Sequence, residues 1–263
     1  MHETSGAMTT PYANVLITGA SSGLGRALAL WFAGRGARVH ACARREDRLV
    51  SLEREAEAGP GKVVPVRLDV TKTDEVVTTL RALDDATPGG IDLVVANAGV
   101  GGMLNGQRAE WAAIERMLAA NVMGATATLA ALAPRMAERR RGHLVGISSI
   151  AAWIVIPRFA VYGASKLYLQ TYCRGLALDL GPVGVKVTCI NPGFVKSEMT
   201  ADNRSPMPFL LETADAADRM GRAILRGDVS FAFPWQMAWL TRLGRLLPSW
   251  LVAKAVGRDR QRR

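Results

Sequence analysis

The chain has 263 residues, of which 49% are hydrophobic and 21% charged, with a formal net charge of +10. This balance excludes a disordered polymer, and a chain of this length buries enough surface to fold without disulfides or a metal. The cysteines Cys42, Cys173 and Cys189 form no disulfide framework and lack metal-ligand spacing, so they read as core thiols in a reducing compartment, with no metal expected.

Residues 1–11 read as a flexible leader. They lack the basic and apolar stretches of a signal peptide, and a cytoplasmic location is the expectation. No run of about 18 apolar residues is evident. The nearest candidates, 144–156 and 231–251, are broken by serines in the first and by prolines and arginines in the second.

Short apolar runs then alternate with longer amphipathic stretches. Strands are predicted at Asn14–Ile17, Arg38–Ala43, Val63–Leu68, Ile91–Ala96, His143–Ile147, Val185–Ile190 and Ser230–Phe233. Helices are predicted near 24–35, 46–58, 72–86, 108–138, 161–180 and 213–227. The alternation predicts βαβ units, and near-continuous apolar strands fit a sheet covered on both faces. The expectation is one α/β, doubly wound domain over 12–257, with a seven-stranded, mainly parallel sheet. Positive charge gathers in two places. Arg139, Arg140 and Arg141 precede Gly142 and are expected in the last turn of a helix that the glycine ends. The other cluster is the end of the chain, with a basic tail over 258–263. No aromatic residues interleave these runs as a single-strand binder requires, so nucleic acid is not the expected partner.

The first strand runs into Thr18-Gly19-Ala20-Ser21-Ser22-Gly23-Leu24-Gly25, and a helix follows at once. A tight turn after a strand needs residues without Cβ, and a pyrophosphate must approach bare backbone. The helix N-terminus then offers N–H groups and a positive dipole end to the anion. The expectation is a Rossmann-like nucleotide site at Gly19, Ser21, Ser22, Gly23, Leu24 and Gly25, as against a merely structural turn.

The spacing Gly-x-x-x-Gly-x-Gly resembles the short-chain dehydrogenase/reductase family, in its branch of roughly 250-residue enzymes. Further segments agree in order. Leu68-Asp69-Val70 closes the third strand, and Asn97-Ala98-Gly99 follows the fourth. Asn121 lies in the next helix, Ser149 precedes Tyr162 by thirteen residues, and Tyr162-Gly-Ala-Ser-Lys166 is similar to the family's Tyr-x-x-x-Lys signature. Pro192-Gly193 follows the sixth strand. The resemblance covers about residues 13–230.

It implies an oxidoreductase with Asn121, Ser149, Tyr162 and Lys166 as the catalytic set. Asp69 and Val70 would hold the adenine. Asn97 and Gly99 would also face the cofactor, and Lys166 would bond the nicotinamide ribose. Pro192, Gly193 and Val195 would pass under the nicotinamide, with Ser197 in place of the family's threonine. Tyr162 and Lys166 lie four apart on one helix face. A nearby ammonium lowers a phenol's pKa, which fits Tyr162 as general acid toward a carbonyl oxygen. Ser149 would stabilise the developing charge, with Ser148 the competing choice. Asn121 would hold a water linking Lys166 to solvent.

The second strand ends in Ala43-Arg44-Arg45. Where an NAD enzyme puts a carboxylate, this chain offers guanidinium groups suited to a 2′-phosphate, so NADP(H) is the expected cofactor. An apolar segment with Met199, Met207, Phe209, Leu210 and Leu211 follows Val195 and points to a lipophilic or aromatic carbonyl or alcohol substrate. The amphipathic region 234–257, with Trp235, Trp239 and Trp250, reads either as a cover for the active-site mouth or a subunit neighbour, or as a basic patch peripheral to a membrane. The resemblance also implies a homodimer or homotetramer. The alternative to an enzyme is a non-catalytic NADP-binding sensor or partner module.

Overall fold

The computed structural model describes residues 9–244 except 156, 202, 204 and 205. In chain order the elements are β1 (Asn14–Thr18), α1 (Gly23–Ala33), β2 (Arg38–Ala43), α2 (Glu46–Ala56), β3 (Lys62–Arg67), α3 (Thr73–Ala86), β4 (Leu93–Ala96), α4 (Trp111–Leu118), α5 (Ala125–Glu138), β5 (Gly142–Ile147), α6 (Ala160–Leu180), β6 (Val185–Pro192), α7 (Glu198–Ala201), α8 (Thr213–Arg226), β7 (Ser230–Phe233) and α9 (Trp235–Gly244). The sheet runs β3-β2-β1-β4-β5-β6-β7, and every pairing is parallel. The order reverses between β1 and β4, and the ligand crevice of an open α/β sheet lies at such a switch.

The strands are apolar because both faces are covered. Val15, Ile17, Val39, Val95 and Val145 pack with Leu28, Phe32, Leu49 and Met220 of α1, α2 and α8. Leu16, Val94, Leu144 and Val187 pack with Leu80, Leu129, Leu132 and Leu169 of α3, α5 and α6. Acidic first turns, Glu46-Asp47 in α2 and Asp74-Glu75 in α3, suit the positive end of each helix dipole.

Three expectations need correcting. The predicted helix 108–138 is not uniform: Gly106–Arg108 is a 3₁₀ turn, α4 starts at Trp111, and Ala119–Gly124 is wound as a π-helix before α5. The run Trp111–Glu138 is 28 residues long with a mean hydropathy of 1.4, so by length and composition it could cross a membrane, contrary to the sequence reading. Its apolar window is 61% buried, because those residues build the core beneath the sheet.

The arginine cluster lies past the last turn of α5. Arg140, at φ 53°, takes the left-handed position expected of Gly142. Arg140 N–H bonds the Ala137 carbonyl and Arg141 N–H the Met136 carbonyl, closing a Schellman motif two residues before Gly142. The cluster is not a free basic face either. Asp84 is buried and accepts from Arg139 at 2.8 Å, Asp85 pairs with Arg135, and Asp92 pairs with Arg141 at 3.3 Å. Of the leader, residues 1–8 lie outside the described residues. Thr10 N–H is bonded to the Arg35 carbonyl at 3.3 Å, so the leader's described end is anchored. The basic tail and 245–257 also lie outside the described residues.

Candidate active site

The ends of β1 and β4 form the base of the crevice. Gly19 takes φ 71°, and a Cβ there would stand 2.7 Å from Ala98 Cα. At Gly25 a Cβ would meet Asn97 Nδ2 and the Gly19 carbonyl at 2.4 Å each. Backbone and brace occupy this space, so only glycine fits. Asn97 supplies the brace, donating to the carbonyls of Thr18 at 2.9 Å and Gly19 at 3.3 Å. The Thr18 hydroxyl in turn accepts from Asn97 N–H at 3.2 Å and Ala98 N–H at 3.3 Å. Asn97 thus ties β4 to the turn. Ser22 is the N-cap of α1 but makes no side-chain cap bond, so the first-turn N–H groups remain available to an anion. Ser21 is buried, while Gly23 and Leu24 are half-buried along the same turn. This bare cradle fits a dinucleotide pyrophosphate.

The two arginines after β2 differ. Arg44 is exposed and lies close enough to Asp69 to help lower that carboxyl's pKa. Arg45 bridges three groups. It donates to Ser21 Oγ at 3.1 Å, to Ser22 Oγ at 2.7 Å and to Glu198 Oε2 at 2.9 Å. Arg48 adds a second contact to Glu198 at 3.5 Å. The Glu198 carboxyl is held below its usual range, chiefly by its hydrogen bond from Arg45. Sequence reading missed Glu198 and Arg48, for which no local signal exists.

Asp69 lies two residues beyond β3 and accepts from Thr71 N–H at 3.0 Å and its hydroxyl at 2.9 Å. Val70 packs on Gly124, where a Cβ would stand 2.6 Å from the Val70 carbonyl. Asn121 is fully buried in the π-helical segment. Its Oδ1 accepts from Val100 N–H at 2.8 Å, and its Nδ2 donates to the Val100 carbonyl at 3.0 Å and to Ser165 Oγ at 3.1 Å. The side chain braces the turn after β4 against α6. Gly99 faces the same group: a Cβ there would lie 3.4 Å from Lys166 Nζ.

Ser149 lies two residues past β5 and caps a 3₁₀ turn, Ile150–Trp153. Its hydroxyl approaches the Pro192 carbonyl at 3.4 Å. Gln170, another residue the sequence reading passed over, fixes the Ser149 carbonyl at 3.1 Å and accepts from Trp153 Nε1 at 2.8 Å. Ser148 is buried and donates to the Lys166 carbonyl at 2.7 Å, so it is committed to α6.

Tyr162 and Lys166 do share a face of α6. Lys166 Nζ lies 5.8 Å from the Tyr162 ring centre and donates to the Ile147 carbonyl at 3.0 Å. Burial raises the Tyr162 pKa above its ordinary value, and a hydrogen bond with Ser149 offsets this only in part. Burial also lowers Lys166 to about 8. The phenol is thus shifted opposite to the direction expected from its ammonium neighbour, because burial dominates and the ammonium donates to the Ile147 carbonyl.

The far wall follows β6. Gly193 N–H bonds the Phe233 carbonyl at 2.7 Å, and a Cβ on Gly193 would meet Pro234 at 2.9 Å. Pro192 and Val195 are buried. Ser197 lies across the crevice from the glycine turn, its Cβ 3.4 Å from where a Cβ on Gly23 would stand. The segment 195–198 therefore closes over the turn, with Glu198 latched to Arg45.

Residues 13–208 match the short chain dehydrogenase family. An uncharacterised oxidoreductase of Myxococcus xanthus is 53% identical over 249 residues, covering 95% of this chain and 98% of the relative. Among solved structures, a short-chain dehydrogenase from Sphingobium yanoikuyae in complex with NADPH superposes with a TM-score of 0.78 at 25% identity, over 95% of this chain and 93% of that one. A bulky-bulky ketone specific alcohol dehydrogenase from Comamonas testosteroni gives 0.76 at 26% identity, over 88% and 92% of the two chains. Fold, site geometry and relatives agree: the chain is an oxidoreductase and belongs to the short-chain dehydrogenase/reductase family.

Proposed function

We propose that the chain is an NADPH-dependent carbonyl reductase that also runs in reverse as an alcohol dehydrogenase. The observation that carries this reading is the grouping of Tyr162 with Lys166 on one face of α6 and with the Ser149 hydroxyl beside the phenol. When bound, the nicotinamide supplies or accepts the hydride. Tyr162 holds its proton well into the alkaline range and delivers it to the carbonyl oxygen. Ser149 donates to the same oxygen as negative charge develops on it. Lys166, when charged, stabilises the phenolate that remains, and its stem is held by burial in α6. Asn121 fixes the turn that faces Lys166.

The preference for NADPH rests on Arg44 and Arg45 following Ala43, with no carboxylate at the end of β2. The NADPH-bound relative supports it. A lipophilic substrate is supported by the exposed Met199, Phe209 and Leu210 near the mouth, and by the bulky-ketone specificity named for the Comamonas enzyme. Leu167, Tyr168 and Leu178 are exposed along α6 and support a homodimer or homotetramer. The test is NADPH oxidation with a panel of ketones, aldehydes and quinones, with Tyr162→Phe beside the wild type. Turnover should vanish in the variant while NADPH binding persists. Tight NADPH binding with no turnover across the panel would replace the reductase by a cofactor-binding sensor.

A further inference from the structure

The last helix among the described residues, α9, is apolar on both sides. Met237, Ala238 and Thr241 are buried against the domain. Trp235, Trp239, Leu240 and Leu243 point outward and are 65%, 59%, 63% and 57% exposed. A surface helix ordinarily turns polar residues to water. Here the outward residues form a ridge at spacing i, i+4, i+8, joined by Leu240. Phe209 and Leu210 extend it, both exposed, and share with Pro234 and Trp235 a shallow cleft of about 220 Å³. An exposed apolar patch of this kind marks an interaction surface.

The sequence that begins with the ridge is strongly basic. From Trp235 to Arg263 the sequence carries seven arginines and lysines against the single acid Asp259, a net of 7 − 1 = +6 out of the chain's +10. The same stretch holds three of the six tryptophans. Arg242 projects from α9 itself, its guanidinium 4.5 Å over the Trp153 ring. A second copy of this surface would bring like charges together, which disfavours self-pairing through it. Exposed tryptophans among basic residues suit the headgroup zone of an anionic bilayer, where the rings settle at the interface and the cations meet lipid phosphate.

We propose that the α9 face docks on an anionic lipid surface. The ridge adjoins the catalytic wall. Trp153, under Arg242, ends the 3₁₀ turn that Ser149 caps, Gly244 lies against Ile154, and Pro234 lies against Gly193. Docking therefore turns the crevice mouth toward the bilayer. On the reductase reading, the substrate is then a carbonyl compound dissolved in lipid; this last step rests on that reading, while the docking itself does not.

The test is flotation of the full chain with vesicles of phosphatidylcholine alone and with about 30% phosphatidylglycerol, at low and high salt. The expected result is association with the anionic vesicles only, weakened by salt. Replacing Trp235, Trp239 and Leu240 together by serine should reduce the partition coefficient about tenfold or more, while the exposed positions leave the melting temperature near that of the wild type. A blue shift of tryptophan emission on vesicle addition, with quenching by brominated lipid, should accompany binding. Absence of flotation with anionic vesicles overturns the proposal. So does equal flotation on neutral ones, or flotation unchanged by the serine substitutions. If the substitutions instead dissociate an oligomer in sedimentation without altering flotation, a second copy covers the ridge and the proposal fails. Tyr162→Phe should float like the wild type, so failure of the reductase reading and failure of docking remain separable.

Discussion

Glu198 Oε2 lies 2.9 Å from Arg45 Nη1, so a carboxylate of the chain holds a guanidinium that a 2′-phosphate would use. The two compete for the same donors. Exposed ion pairs are worth at most about 1 kcal/mol, so Glu198→Gln should tighten NADPH binding by about two- to fivefold. Arg45→Ala should weaken NADPH by about tenfold or more and leave NADH much less affected. Calorimetric titration of both cofactors checks this. Equal losses for NADH and NADPH would remove Arg45 from the phosphate site.

Lys166 sits near pKa 8 while Tyr162 stays protonated beyond its ordinary range. Reduction needs the phenol protonated and the ammonium charged. As pH rises, the ammonium is lost first. The kcat/KM of NADPH-driven reduction, which reports the free enzyme, should therefore be level through neutrality and fall above about pH 8. A descent centred at 10 or higher would assign the limb to Tyr162 instead.

His143 is buried between Tyr12 and Thr188, with a ring nitrogen 2.8 Å from each hydroxyl. Burial, with Lys186 nearby, lowers its pKa to about 3. The unfolded chain takes up this proton near the ordinary histidine value, whereas the folded chain resists it. Stability is therefore present above about pH 6.5 and is lost as pH falls from there toward 3, by up to about 4 kcal/mol. Denaturant melts of the wild type and His143→Gln at neutral and acidic pH should show a flatter acid limb in the variant. Parallel limbs would place the acid sensitivity elsewhere.

Gly25 leaves no room for a methyl, since Asn97 Nδ2 and the Gly19 carbonyl already stand at 2.4 Å from its Cβ position. Gly25→Ala should push the Asn97 brace off the turn and cost about 1–3 kcal/mol, as overpacking does. Thermal melts should show this loss together with weaker binding of both nicotinamide cofactors. A variant of wild-type stability and affinity would mean that the turn yields freely.

Much of the fold was legible because it follows local periodicity. The strands at Arg38–Ala43 and Ser230–Phe233 have the predicted limits; β2 is buried from Val39 onward as its short run suggested, while β7 lies at the sheet edge and is buried only at Phe233. The fixed interval from Ser149 to Tyr162 and Lys166 likewise located a group that the fold brings together. Engagements across the chain were not legible. Glu198 meets Arg45 across 153 positions, and nothing beside either residue announces it. Asn97 and Asn121 stand out in the sequence, but their amides are bonded to backbone that only the packed turn brings near. The Tyr162 pKa depends on what surrounds the ring, so spacing from Lys166 gave the wrong direction.

The π-wound stretch Ala119–Gly124 fits one extra residue into the helical path between α4 and α5. Removing a single residue there would let Trp111–Glu138 close into an unbroken α-rod, with the change of direction confined to the side chains of the π-wound stretch. Asn121 would then point away from Val100, and the loop facing Lys166 would lose its prop. A one-residue deletion in the middle of this buried helix thus reaches the reaction centre more directly than many point substitutions nearer to it. The length of the chain between α4 and α5 is itself a part of the site.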